Sequence, residues 1–409
     1  MYFPREEYEA RWKRVRATMR ARGHETLVIW QRSAGGFDRA GDVYWLTNYA
    51  SSASGQEPSR EGLSIGRGFA AVLFHRGRDP ELHIAEAVRD IDVSELACGE
   101  IVTHAIDLPT GLAERLRVLG IEGPVSYVGD DFLPALFDRR LRRAAPAVEW
   151  IPDDWLLTDA QNIKSARELE AYRTAGDIAT RSLNAIMVAL IEGEPESEAA
   201  ARGGAVVLRA GGGFQRVSIH HGAPSEVAMW SNPMYGFSTT APRPGDMVRG
   251  WIYGPLFQGY WLDPGRSAVC GNKPTMPQRE VIEGVNSIVT TIMAAIRPGV
   301  TPRQASIVGE AAARRVGYFD HPQAASIWGI FGHGLGSYFK PPLLPSTDPA
   351  HCADPKGYFH LDEPFRPGMV ATVEAFLTHT GVGTGTCEQC FIVTEEGIEL
   401  LTHTPLIFW

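Results

Sequence analysis

Cysteine is scarce in this chain: five residues in 409, at positions 98, 270, 352, 387 and 390. An odd number scattered through so long a sequence reads as reduced thiols and excludes a disulfide framework. Positive charge is also short. Lysine and arginine total 39 against 48 acidic residues, a formal net charge of −9. With no long Lys/Arg run, this balance argues against nucleic acid or an anionic membrane surface as a partner and favours a small-molecule substrate. No stretch approaches roughly eighteen uninterrupted apolar residues, so no membrane span is expected. The first residues, from Met1 to Gly23, are charged and helical in pattern, unlike a secretory signal or a presequence. A cytoplasmic protein is the expectation. Low-complexity tracts and fixed-period repeats are missing as well.

What remains is ordinary globular composition, with 44% hydrophobic and 21% charged residues. Single cores stop growing at roughly 250 to 300 residues, so 409 residues imply two domains. We place them at 1–155 and 156–409. In the first, Tyr8, Trp12, Val15 and Met19 recur at helical spacing over 5–22, ahead of a strand-like run at 26–30. Further strand patterns at 69–74 and 125–128 alternate with helical stretches such as 133–143, which predicts an α/β domain with a mixed sheet. In the second, Ser165 is a plausible N-cap for a long helix, and helical patterns recur at 196–209, 278–295 and 302–315. Strand patterns fall at 214–221, 247–253, 258–269, 328–332, 370–377 and 387–394. Helices outside a curved antiparallel sheet make this half α+β. The stretch Lys340–Pro367 is rich in Pro, Asp and His with little periodicity, and reads as a lid or wall over a site.

Four segments carry a potential metal ligand at a strand or strand end: Asp263 in an Asp-Pro-Gly-Arg-Ser run, His333 between two glycines, Glu374 after Gly-Met-Val-Ala-Thr-Val, and Glu388 in Cys-Glu-Gln-Cys. Each alone is weak; their value is joint. Cys387 and Cys390 would point to opposite faces of a strand, and no second Cys-x-x-Cys completes a tetrahedral zinc site.

In order and spacing these segments, with Gly245-Asp246-Met247-Val248 and the helix after Ser165, resemble the pita-bread family (creatinase, aminopeptidase P, prolidase; peptidase M24) over nearly the whole chain. The resemblance implies a creatinase-like N-terminal α/β domain, a C-terminal pita-bread domain, a homodimer and a divalent metal. Family members hold two metals through Asp, Asp, His, Glu and Glu. Here the second Asp falls on Asp263, the His on His333 and the two Glu on Glu374 and Glu388. The first Asp, five residues beyond Asp246, falls on Trp251, and the interval to Asp263 is one residue longer than the family's, as a bulge would make it. One imidazole and three carboxylates suit Mn, Fe, Co or Zn. One metal is expected, not two.

The peptidases' two substrate-side histidines are also missing, replaced in the neighbourhood of Met229 and Trp230 and by Lys340. Ordinary Xaa-Pro peptidase action is therefore in question. Arg249, Trp251 and Tyr253 would share one strand face looking into the site, with Arg249 offering a two-pronged donor to a carboxylate. His220 or His221, but not both, could act as general base; Trp230, Tyr338 and Lys340 are further pocket candidates. The expectation is a metal-dependent hydrolase of an amide-like carbon–nitrogen bond in a small, not necessarily peptide, substrate, with Glu374 as proton shuttle. Alternatives are a lyase resembling the dimethylsulfoniopropionate branch, where Phe339 stands in place of the acidic base, and a catalytically silent binding module.

Overall fold

The computed structural model describes residues 1–32, 41–51, 65–222, 236–317, 330–345 and 359–409. The chain divides into two compact units, Met1–Gln161 and Asn162–Trp409.

In the first unit the helical spacing produces α1 (Arg5–Ala21), which buries Tyr8, Trp12, Val15 and Met19 on one side. Gly23, at φ 76°, turns the chain into β1 (Thr26–Arg32). There follow α2 (Gly41–Thr47), β2 (Phe69–His75), β3 (Glu81–Ile84), β4 (Glu100–Thr103), α3 (Leu108–Val118), β5 (Gly123–Val128), α4 (Ala135–Ala144), β6 (Val148–Pro152) and α5 (Asp154–Asn162). The strands form one mixed sheet in the order β4-β3-β2-β1-β5-β6. β1 pairs antiparallel with β2 and parallel with β5. Its near-continuous apolar run is what a strand covered on both faces requires. Val28, Trp30, Phe69, Leu73, Leu112 and Phe137 belong to its core.

The second unit opens with α6 (Ala166–Glu192). Ser165 accepts from the Glu168 amide while the Glu168 side chain accepts from the Ser165 amide, a reciprocal cap that satisfies two otherwise orphaned donors. α7 (Glu196–Arg209) lies close against it, because Gly203 leaves room for Ile186 and its carbonyl accepts from Ser182. The remaining elements are β7 (Arg216–His221), β8 (Met247–Phe257), β9 (Tyr260–Leu262), β10 (Gly265–Val269), α8 (Met276–Ala295), α9 (Pro302–Arg315), β11 (Ile330–Leu335), β12 (Phe339–Pro345), β13 (Val370–His379), β14 (Gly383–Val393) and β15 (Ile398–Leu400). Among the described residues they form a curved sheet, β12-β11-β13-β14-β10-β8-β7, with β15 branching from β14 and β9 from β8. Every pairing in it is antiparallel. One face packs on helices: Gly250 faces Ile186, Met187 and Leu190 of α6, and Gly385 faces Val281 of α8. The alternate residues of β8 and β14 therefore point the other way.

Two expectations are corrected. The single strand expected over 258–269 is broken twice. Gln258 (φ 50°) and Gly259 (φ 80°) make a tight turn, and Asp263-Pro264 separates β9 from β10. The β8–β9 ladder also shifts register between Pro255 and Phe257, where the sequence spacing called for a bulge. The stretch expected as a loop from Lys340 begins instead inside β12. Its prolines hid the strand pattern, and they are tolerated because β12 lies at the sheet edge. Residues 346–358 of that stretch lie outside the described residues. No helix among the described residues is long and apolar enough to cross a membrane.

Candidate metal centre

His333 sits on β11 between two glycines that the packing demands. A Cβ at Gly332, whose φ is 145°, would strike the Thr372 carbonyl of β13, and one at Gly334 would strike the Pro341 carbonyl of β12. The imidazole is buried. Its Nδ1 lies 3.2 Å from the Gly334 carbonyl oxygen, which can only accept, so Nδ1 carries a hydrogen and Nε2 is the nitrogen turned to the interior. Nε2 is 3.2 Å from Asp263 Oδ2, 3.9 Å from Glu388 Oε1 and 4.0 Å from Glu374 Oε1.

The carboxylates converge because the sheet register makes them. Glu374 and Glu388 are direct cross-strand partners on β13 and β14, and Glu388 also stands opposite Gly265, two residues after Asp263. Like charges directly opposed in a ladder repel. Burial first, then Asp263 and Glu374, push the Glu388 carboxyl well above its ordinary range. Burial alone would push the His333 imidazole down, but Asp263 and Glu374 carry it above its usual value. One ligand atom each from Asp263, His333 and Glu388 lie within 4.8 Å of one another. A divalent cation is what such a set of buried oxygens and one imidazole nitrogen fits.

Two side chains that the sequence reading did not assign to this centre contact these carboxylates. Thr372 Oγ1 donates to Glu388 Oε1 at 3.1 Å, and Cys390 Sγ approaches Asp263 Oδ1 at 3.5 Å. Burial, with Asp263 and Glu388 adding, keeps the Cys390 thiol protonated well above its ordinary value. Behind the strand, Arg266 donates to the Glu388 carbonyl at 2.6 Å, to the Gln389 side chain and to the Thr404 and Pro405 carbonyls, which ties β14 to the C-terminal segment. Strand alternation was the available signal: Thr372 and Cys390 lie two residues from Glu374 and Glu388 on the same face.

Trp251 reaches the same centre. Its Nε1–H donates to Glu388 Oε2 at 3.2 Å, its ring stacks on Phe376 at 5.8 Å, and a Cβ at Gly265 would strike the indole. Arg249 and Tyr253 follow on the same face of β8. Arg249 is fully buried, and burial pushes its guanidinium down to about 9, so it stays charged at neutral pH. The Tyr253 ring lies under Arg216 at 4.9 Å. Burial raises its phenol; Arg216 opposes this, and Glu388 and Asp263 add to it.

The two histidines part company. His220 stands opposite Arg249 in the β7–β8 ladder. Burial, then Arg249 and His221, push its imidazole down to about 3. The near-neutral pKa that recommended it as a base is therefore lost. His221 points to the other face, where Nδ1 lies 2.8 Å from Glu196 Oε1 of α7, so it is removed from the site. Lys340 is buried on β12 opposite Gly334, its Nζ 4.2 Å from the Tyr338 ring centre. Trp230 lies outside the described residues.

A curved antiparallel sheet with helices on one face and a buried Asp/His/Glu cluster on the other defines a metallohydrolase of the pita-bread class. The model of metallopeptidase family M24 matches residues 170–395, and the chain belongs to that family. It is 24% identical to a Xaa-Pro dipeptidase of Pyrococcus horikoshii over 370 residues, 86% of this chain and 89% of that protein. In structure it resembles a prolidase from Thermococcus sibiricus (TM-score 0.76, 18% identity, 97% of each chain). It also resembles a Xaa-Pro dipeptidase from Bacillus anthracis (TM-score 0.73, 22% identity, 97% of this chain and 98% of that one). At such identities these structures establish the fold.

Proposed function

We propose that this chain is a mononuclear metal-dependent hydrolase of an amide-like carbon–nitrogen bond in a small substrate that need not be a peptide. The observation that carries the mononuclear part is Trp251: an indole, not a carboxylate, stands beside Glu388. It has no anionic oxygen with which to hold a second ion. Asp263, His333, Glu388 and Glu374 would hold the one ion, with His333 presenting Nε2. A divalent ion supplies Lewis acidity, which makes water a stronger acid and polarises a scissile carbonyl. Glu374 is the carboxylate we assign to proton transfer between water and the leaving nitrogen. Arg249, on the Trp251 face, would take a substrate carboxylate, with Tyr253, Lys340 and Trp230 as further walls. The relatives named as Xaa-Pro dipeptidases support hydrolysis; the loss of both substrate-side histidines supports a changed substrate. The same proposal takes the protein to be a cytoplasmic homodimer with its catalytic domain in residues 156–409.

Elemental analysis of protein purified without chelator, paired with turnover of Xaa-Pro dipeptides and non-peptide amides in oxygen-18 water, tests it. About one equivalent of transition metal and incorporation of the label are expected. Two equivalents would remove the mononuclear claim, and an alkene product without label would replace hydrolysis by elimination.

A further inference from the structure

On β7 the residues Arg216, Ser218 and His220 alternate onto one face, in register opposite Tyr253, Trp251 and Arg249 of β8. Directly opposed residues of an antiparallel ladder share a face. Since the Trp251 indole reaches Glu388, this is the face that carries the metal cluster. Ser218 is 1% exposed and His220 5%. Yet Ser218 Oγ, His220 Nε2 and Arg216 Nε are buried atoms without a hydrogen-bond partner. Buried polar atoms are paired in the great majority of cases, so three orphans on one strand face call for an explanation. Two nearby polar side chains are satisfied. Ser267, on the same side of β10, both donates to the Thr386 carbonyl and accepts from the Thr386 amide. His221, on the opposite side of β7, is held by Glu196. Tyr253 Oη of β8 and Thr386 Oγ1 of β14 also lack a partner, so along β7, β8 and β14 the orphaned atoms lie on the side that faces the site.

The chemistry of the strip is one-sided. Two guanidiniums, of Arg216 and Arg249, offer donors only, and Ser218 offers a hydroxyl. With its pKa near 3, the His220 imidazole is neutral at physiological pH and can present an N–H. Such a set fits an anionic acceptor with several lone pairs. Three ladder steps of roughly 4.8 Å separate β7 from β14, so an acceptor bound here lies away from the reacting bond.

We propose that Arg216, Ser218 and His220, with Arg249 across the ladder, form a subsite for a carboxylate that the substrate carries remote from its scissile bond, His220 acting as a hydrogen-bond donor. The hydrolase reading above enters only in calling the owner of that carboxylate a substrate.

The test uses the full-length protein as purified, labelled with nitrogen-15 at histidine, and titrates it with acetate and, separately, with acetamide. The His220 ring signal is identified by its loss in His220→Gln. Acetate is expected to move that signal saturably and acetamide to leave it in place. Ser218→Ala should weaken acetate binding about tenfold, the size of effect expected for a hydrogen bond to a charged group. Arg216→Gln, on a less buried side chain, supplies the same comparison if the serine variant folds poorly. No saturable shift, an equal response to acetamide, or unchanged acetate affinity in the substituted protein would overturn the subsite. Turnover is not read, and repeating the titration after chelation separates this outcome from failure of the metal-dependent reaction.

Discussion

At position 251 a tryptophan stands where the resembled family has a metal-binding aspartate, and its surroundings are built for it. Gly265, directly opposite in the ladder, has no Cβ to meet the indole; Phe376 stacks on the ring; the ring nitrogen donates to Glu388 Oε2. A group that fixes one oxygen of a ligating carboxylate orients the other, and loss of such a partner typically costs about 10- to 100-fold in metal affinity. Trp251→Phe keeps an aromatic ring against Phe376 and removes only the donor. A competition titration against a chromophoric chelator should therefore show metal affinity falling by about tenfold or more, with the fold kept. Unchanged affinity would mean that the indole fills space without orienting Glu388. At this scale the sequence was informative where spacing alone carried the signal. Asp263, His333, Glu374 and Glu388 could be read from motif order, and alternation along the strand said that His220 and His221 could not both face the site. It could not say which one would, because that depends on the β7–β8 register and on Glu196, neither of which leaves a local trace.

Elements were legible where a local rule ends them. Ser165 with Glu168, Thr275 with Gln278 and Thr301 with Gln304 form reciprocal caps at the starts of α6, α8 and α9, and those helices begin within two residues of the expected positions. Strand breaks were less legible. The turn at Gln258-Gly259 uses a left-handed non-glycine residue, and β12 carries prolines that only an edge position allows. Nor does any pattern announce the tie between β3, β4 and α3. Arg115 of α3 grips Glu81 with two donors, at 2.9 and 3.0 Å, and reaches Glu100 of β4 at 2.7 Å, while His83 lies 3.5 Å from Glu81. Burial alone would raise the Glu81 carboxyl, but His83 and Arg115 outweigh it and hold it down at about 2. A folded-state value below the unfolded one means that the ionised form favours folding. The contribution is fully present above roughly pH 4.5 and is lost as the pH falls toward about 2. Denaturant unfolding of wild type and Glu81→Gln across this range should show the variant less stable at neutral pH, with the gap closing on acidification. A gap independent of pH would mean that Glu81 contributes by packing, not by charge.

For the molecule as a whole, the two units have separate cores: Trp30, Phe69 and Phe137 lie in one, and Trp251, Val285, Phe331 and Phe391 in the other. All four proposed ligands belong to Asn162–Trp409, so a metal acts as a stabiliser of that unit and not of Met1–Gln161. Free ion at a hundredfold excess over its Kd stabilises the state that binds it by about 2.7 kcal/mol. For a unit of this size, at about 2–4 °C per kcal/mol, the melting midpoint should rise roughly 5–10 °C. The gain has a physical source in the cluster itself: without a cation, Glu374 and Glu388 face one another across a ladder with Asp263 beside them, and that repulsion is relieved only by taking up protons. Calorimetry of chelated and metal-loaded protein should therefore resolve one heat-absorption transition that moves with metal and one that does not. Glu388→Gln, which removes one of the three carboxylate charges, should raise the chelated midpoint of the moving transition while reducing its response to metal. If both transitions moved together, or neither did, the buried carboxylates could not be a metal site confined to the second unit.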